Sequence, residues 1–186
     1  MKDLPGVVID ANVLAQAPVR DTLLRLAERA TFFRPLWSEQ IMAEMRRTLE
    51  GKFGIARKRV LHLESKLHEH FPEAWVMDFE HLIPRMKNDG PDRHVLAAAV
   101  HAQASLITTY NLRHFSLAAT RPWGVTALGP SALLKNWYSL HPELMIQVLH
   151  EQASDIRRTF AHQLRVLHLA VPSFVEAIRH DTETPI

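Results

Sequence analysis

The stretch Gly90–Ala104, Gly-Pro-Asp-Arg-His-Val-Leu-Ala-Ala-Ala-Val-His-Ala-Gln-Ala, preceded by Asp89, constrains the fold most. Pro91 suits the first turn of a helix, where its missing N–H is no loss. Asp92 puts a carboxylate in that same turn, where the helix dipole favours negative charge. From Val95 to Val100 the helix is apolar almost all the way round, which predicts burial. Its small alanines allow close packing on a sheet. Asp89 and Asp92 stand at the mouth of this helix. Either they cap it or they belong to a site.

The rest of the chain supplies the sheet. Val7-Val8-Ile9 is short, continuous and β-branched, and reads as a strand buried on both faces. Asp10-Ala11-Asn12 follows, at the strand end where open α/β sheets bind ligands; a cap on a helix starting near Val13 is the competing reading. Helices are expected over Arg20–Ala30, from the N-cap Ser38 to about Leu49 with Gly51 ending it, and over Ile55–His70. Ile41, Met45 and Leu49 make an apolar stripe, and Glu44 falls on its flank. Further strands are expected at Phe32–Leu36, His81–Ile83, Ser105–Tyr110 and Gly124–Leu128, with a helix from Gly129 to Ser139. Strand and helix alternate, so the fold class is α/β with a mostly parallel sheet and helices on both faces. After His141-Pro142 strand signals stop, and two or three amphipathic helices follow. This divides the chain into a domain over 1–140 and a helical extension over 141–186, with Asp181–Ile186 expected to be disordered.

Composition narrows the chemistry. The chain has no cysteine, which excludes disulfides and thiolate metal sites. Its N-terminus reads as neither a signal peptide nor a membrane span, so a cytoplasmic protein without a membrane partner is expected. A net charge of +2 does not by itself argue for a polyanion, but its distribution is uneven. Arg46, Arg47, Lys52, Arg57, Lys58 and Arg59 face the single acid Glu50 between Met45 and Val60. Such a block is either a phosphate footprint or a solvated helix face. His68, His70, His150, His162, His168 and His180 lack ligand spacing and read as surface residues.

Asp10, Glu44, Asp89, Asp92 and Asn111 can all gather at the carboxyl edge of a parallel sheet. Clustered carboxylates repel unless some are protonated or a cation sits among them. Oxygen-only ligands suit Mg²⁺ or Mn²⁺ and not Zn²⁺. Such a site beside a basic block is what metal-assisted phosphodiester hydrolysis needs.

At these residues the chain resembles the PIN-domain ribonucleases. The marks are Val7-Val8-Ile9-Asp10-Ala11-Asn12, the helical acid Glu44, Asp92-Arg93-His94-Val95-Leu96-Ala97-Ala98-Ala99, and Thr109-x-Asn111-x-x-x-Phe115. The resemblance runs from about Val7 to Ser139 and is closest to the VapC-type toxins of toxin–antitoxin pairs, including those with an added helical C-terminal region. It implies a Rossmann-like three-layer α/β/α sandwich with a C-terminal helical extension. It also implies an Mg²⁺- or Mn²⁺-dependent endoribonuclease, a homodimer, and a small antitoxin that covers the site. Carried over, Asp10, Glu44 and Asp92 are the catalytic metal ligands. Asn12, Asp89, Thr109 and Asn111 support them. Arg46, Arg47, Arg57, Lys58 and Arg59 are candidates for contacts to the RNA backbone.

One position departs from the pattern. Relatives carry a further Asp at the place of Asn111 or three residues later, where this chain has His114. An imidazole ligand there favours Mn²⁺ over Mg²⁺ and one tight ion per site; a general acid, a phosphate contact and a plain surface histidine are the other readings of His114. Two further functions use the same residues: an RNA-processing nuclease without an antitoxin, and a degenerate module that binds RNA or protein through a decayed metal site.

Overall fold

The computed structural model describes residues 4–29 and 32–182. Four parallel strands form one sheet in the order β2-β1-β3-β4: β1 is Gly6–Ile9, β2 Arg34–Leu36, β3 Leu106–Thr108 and β4 Thr126–Leu128. The β-branched run Val7-Val8-Ile9 takes a central place and is wholly buried, as its uninterrupted apolar sequence requires. From β1 the chain crosses to β2 on one side, then passes back over β1 to β3 on the other. Because parallel crossovers are right-handed, these two moves put their helices on opposite faces of the sheet. They also leave a crevice between the carboxyl ends of β1 and β3, where the direction of winding reverses.

The helices between strands are α1 (Ala11–Leu14), α2 (Ala17–Glu28), α3 (Glu39–Arg47), α4 (Arg57–His70), α5 (Arg93–His101) and α6 (Leu117–Thr120), and α7 (Pro130–Leu140) follows β4. The Ala-rich helix expected to be buried is α5. Val95, Leu96, Ala97, Ala98 and Ala99 have no exposed surface, and α5 packs on β1 and β3. The fit is close at the start of β1. A Cβ built on Gly6 would stand 2.9 Å from Leu36 Cδ1 and 3.3 Å from Ala104 Cα. A side chain at Gly6 would oblige Leu36 to turn aside and Ala104 to give by a few tenths of an ångström, so the constraint there is one of space, not of backbone angle.

Several expected boundaries move. Gly51 does not end the helix after Ser38. Helical bonding continues through a π-helical stretch, Thr48–Lys52, and the left-handed residue that follows is Gly54, at φ 64°. Helix α4 begins at Arg57, not Ile55, and α2 begins at Ala17, with Pro18 in its first turn. No strand forms at His81–Ile83. A 3-10 helix, Glu80–Arg85, stands there with Pro84 inside it; a proline cannot donate to a strand ladder. Extended pairing occurs earlier, where Trp37 N–H donates to Ala74 O at 2.9 Å and Val76 N–H to Trp37 O at 2.8 Å. Of the tail expected to be disordered, Asp181 and Thr182 close a helix, and 183–186 lie outside the described residues, as does Ala30.

From Pro142 onward the described residues are helical: α8 (Pro142–Asp155), α9 (Phe160–His168) and α10 (Pro172–Thr182). Helix α8 packs on α2, α9 on α8 and α2, and α10 on α7 and α9. Leu149, Leu164, Leu167 and Phe174 join the same core cluster as the strands. The junction also carries buried polar contacts. Thr22 O–H donates to Gln152 Oε1 at 2.9 Å, and Gln152 Nε2 donates to Pro18 O at 3.0 Å. Of the four C-terminal histidines expected at the surface, His150 and His180 are exposed, while His162 and His168 are half-buried.

This continuity predicts a single cooperative unfolding transition. Leu164→Ala, at a position with no exposed surface, is expected to lower stability by about 2–5 kcal/mol. A urea titration followed by both tryptophan fluorescence and circular dichroism checks this. Two separated transitions would mean that 141–186 folds as a unit of its own.

Candidate active site

The sheet register builds the first part of the site. Ile9 of β1 pairs with Thr108 of β3, so the next residues on both strands, Asp10 and Thr109, come out side by side. Asp10 N–H donates to Thr108 O at 3.0 Å. Asp10 Oδ2 then accepts from Thr109 Oγ1 at 2.5 Å and from Asn12 Nδ2 at 2.7 Å. The second Asn12 N–H goes to Thr109 Oγ1 at 3.0 Å, and Asn12 Oδ1 accepts the Tyr110 N–H at 3.0 Å. The Asn111 backbone N–H also reaches Thr109 Oγ1, at 3.0 Å. Asn12 and Thr109 therefore lock the two strand ends together and fix one oxygen of Asp10.

Asp92 and Glu44 approach from the helices. Asp92 is 8% exposed, at the end of the 3-10 turn Gly90–Asp92 that leads into α5. Neither Asp89 nor Asp92 caps that helix with its side chain, which removes the capping reading. Glu44, on the flank of α3, is 27% exposed. Burial is the largest influence on Asp10 and pushes its pKa above the ordinary carboxyl value. The negative charges of Asp92 and then Glu44 push it the same way, against the hydrogen bonds from Thr109 and the Ala11 N–H. Asp92 and Glu44 thus both bear on Asp10, as like charges brought near one another do.

Two histidines answer that charge. His114 Nδ1 lies 2.7 Å from Asp92 Oδ2 and 3.6 Å from Asp89 Oδ2. His94, 2% exposed, places Nε2 3.1 Å from Glu44 Oε1, without hydrogen-bond alignment. Sequence reasoning missed His94. Its one signal was its place directly before the apolar run of α5.

Two of the acids spend one oxygen on a protein donor, Oδ2 of Asp10 and Oδ2 of Asp92, while Glu44 Oε1 has His94 Nε2 beside it without a hydrogen bond. The second oxygens of Glu44 and Asp92 take no protein hydrogen bond among the described residues. Ligand carboxylates held by hydrogen bonds from behind are the usual support for a metal ion. The set therefore fits a hard divalent cation in donor type, charge and support. As they stand, no three Asp, Glu or His side chains among the described residues converge closely enough to grip an ion.

The basic residues separate into two groups. Arg46 is engaged by Glu64, and by Glu39 at 2.8 Å. Arg47 is 73% exposed and 3.7 Å from Glu44. Arg57, Lys58 and Arg59 form the exposed first turn of α4 with no acid beside them in that turn. Cations at a helix N-terminus oppose its dipole, so this turn is an uncompensated positive patch.

Comparison with known proteins identifies the family. A PIN-domain family model matches residues 6–113, a span that holds Asp10, Glu44, Asp92, Thr109 and Asn111. The chain belongs to the PIN-domain family. It is also 41% identical over 70 residues to a Mycobacterium tuberculosis protein (strain ATCC 25618 / H37Rv) described as "Putative ribonuclease VapC50". That match spans 38% of this chain and 41% of the other protein. Among the described residues no helix is long and apolar enough to cross a membrane.

The raised pKa of Asp10 has a sign that can be checked. Its native value lies above its unfolded one, so its contribution to stability is fully present below the unfolded value and is lost as pH rises through the native value. At pH 7 the ionised carboxylate therefore costs stability. Asp10→Asn keeps an oxygen that accepts from Thr109 and Asn12 and removes the charge. We expect it to be more stable than the parent at pH 7, by roughly 0.5–2 kcal/mol as for other charged functional residues. The gain should vanish toward pH 4. Thermal melts across pH without added metal read this out; a variant less stable than the parent at pH 7 contradicts it.

Proposed function

We propose that this protein is a divalent-metal-dependent endoribonuclease and the toxin of a toxin–antitoxin pair. The observation that carries the reading is the buried carboxylate of Asp10 at the end of β1, on which the charges of Asp92 and Glu44 bear. Membership of the PIN-domain family and similarity to a protein described as a ribonuclease support it. Asp10, Glu44 and Asp92 would hold Mg²⁺ or Mn²⁺, and a bound ion supplies a polarised water and neutralises charge on the attacked phosphate. The chain's own part is placement. Asn12 and Thr109 fix Asp10, His114 holds Asp92, and His94 stands behind Glu44. Arg47, Arg57, Lys58 and Arg59 are the cations left to bind the RNA backbone, because Arg46 is held by Glu39 and Glu64. Asp89 and Asn111 complete the rim.

The remaining parts of the proposal concern assembly. Residues 1–140 carry the nuclease and 141–186 are a helical extension that buttresses α2 and α7. A homodimer in the cytoplasm, masked by a small antitoxin, is the expected resting state. One observation favours a second reading, a binding module with a decayed metal site: the acids do not converge on one point as they stand.

Asp92→Asn is expected to fold, to melt within a few degrees of the parent, and to cleave RNA at least roughly a hundredfold more slowly, as loss of a metal-site group does. Mapping cleavage by sequencing with parent and variant side by side checks this. A variant that cuts at the parent rate removes Asp92 from the machinery, and a parent that cuts no RNA while binding it favours the binding module. Overproduction separates the toxin from a processing nuclease: the toxin arrests growth and is rescued by a co-produced small partner.

A further inference from the structure

We propose that His114 is a positioning residue for Asp92, set in one tautomer by Arg113, and that it gives no ligand of its own to the metal. The inference rests on the metal-site reading above and deepens it. Both ring nitrogens of His114 are engaged. Arg113 Nε–H points at Nε2 at 3.2 Å, and an arginine can only donate. Nε2 is therefore the acceptor, and the ring proton sits on Nδ1. Nδ1–H in turn donates to Asp92 Oδ2 at 2.7 Å. The main chain of the same residue grips the other end of the acidic turn, where Asp89 N–H donates to His114 O at 3.2 Å. His114 is itself anchored by its N–H to Asn111 O at 2.9 Å, within the 3-10 turn Leu112–His114. One residue thus clamps Asp89 by backbone and Asp92 by side chain.

The arrangement explains why a histidine suits the place where an acid was expected. Another carboxylate would add repulsion to Asp10, already destabilised in its charged form by Asp92 and Glu44. A donor there holds one oxygen of Asp92 and leaves Oδ1 for a cation. It also removes the basis for an Mn²⁺ preference, which required a free imidazole nitrogen.

The test uses the full chain, Mn²⁺ as probe, and three variants at one position. An asparagine amide sits where Nδ1 sits, and a glutamine amide where Nε2 sits. His114→Asn is expected to bind Mn²⁺ within about threefold of the parent by calorimetry. His114→Ala and His114→Gln are expected to bind about tenfold more weakly, the size of effect seen on losing a supporting group behind a ligand. Pulsed EPR of the Mn²⁺-loaded parent should show no directly bound imidazole nitrogen. ¹⁵N NMR of histidine-labelled protein without metal should find His114 protonated at Nδ1, the signal being assigned by its loss in His114→Asn. The inference is overturned by a bound-imidazole coupling that His114→Ala abolishes, by His114→Asn binding as weakly as His114→Ala, or by an Nε2–H tautomer. A parent that takes up no Mn²⁺ defeats the metal reading and this inference together, whereas uptake with any of the three contrary results defeats this inference alone.

Discussion

A carboxylate buried at the end of the central strand sets the terms for everything around it. Asp10 is 3% exposed, and an ionised group out of water is costly unless it is hydrogen-bonded and balanced by charge. Parallel pairing of β1 with β3 supplies the hydrogen bonds, since it brings the Thr109 hydroxyl beside Asp10 whatever the loops do. It does not supply the charge. The nearest ionisable partners, Asp92 and Glu44, make the balance worse. A fold seeking only stability would not assemble them. They lie toward the point where the winding of the sheet reverses, the place at which open α/β sheets bind ligands.

The core has to be stiff for this repulsion to persist, and α5 provides the stiffness. Ala97, Ala98 and Ala99 have no exposed surface, and at the start of β1 a Cβ on Gly6 would press on Leu36 and Ala104. Close packing of this kind resists small shifts, so Asp92, at the head of α5, cannot drift away from Asp10 to relieve repulsion. The histidines are the release that remains. His114 and His94 meet Asp92 and Glu44 from outside the crevice, each on one oxygen.

The parts of this arrangement that sequence reasoning reached are those with a strong local signal. Val7-Val8-Ile9, the apolar body of α5 and the β-branched strand before Thr109 each allow essentially one structure, and the polar residues at their ends follow from strand register. Glu44 was legible because the stripe Ile41-Met45-Leu49 defines its place on α3. What was not legible depends on contacts between distant segments. His94 is ordinary in sequence, and His114 was singled out by its position but not by its partners; both acquire those partners only when α3, α5 and the turn after β3 converge. Arg46 looked like one of six equivalent cations until Glu39 and Glu64 closed on it. Gly51 misled for a different reason: helical bonding passed through it by widening to a π-helix, and the chain turned at Gly54 instead.

The division of labour along the chain follows from the same geometry. Every group that touches the acid cluster lies between Asp10 and His114, nearly the span over which the PIN-domain model matches. The residues beyond it add β4 to the sheet edge and then place α8 and α9 over α2. Their buried contacts are made to α2 and α7, as the Thr22–Gln152 pair and the Ser131 oxygen accepting the Phe174 N–H illustrate. They add buried apolar area to a core that must hold like charges together, while contributing no donor or acid to the crevice itself. An extension of this kind can change in sequence as long as it stays packed, whereas the residues from Asp10 to His114 are bound by both packing and charge.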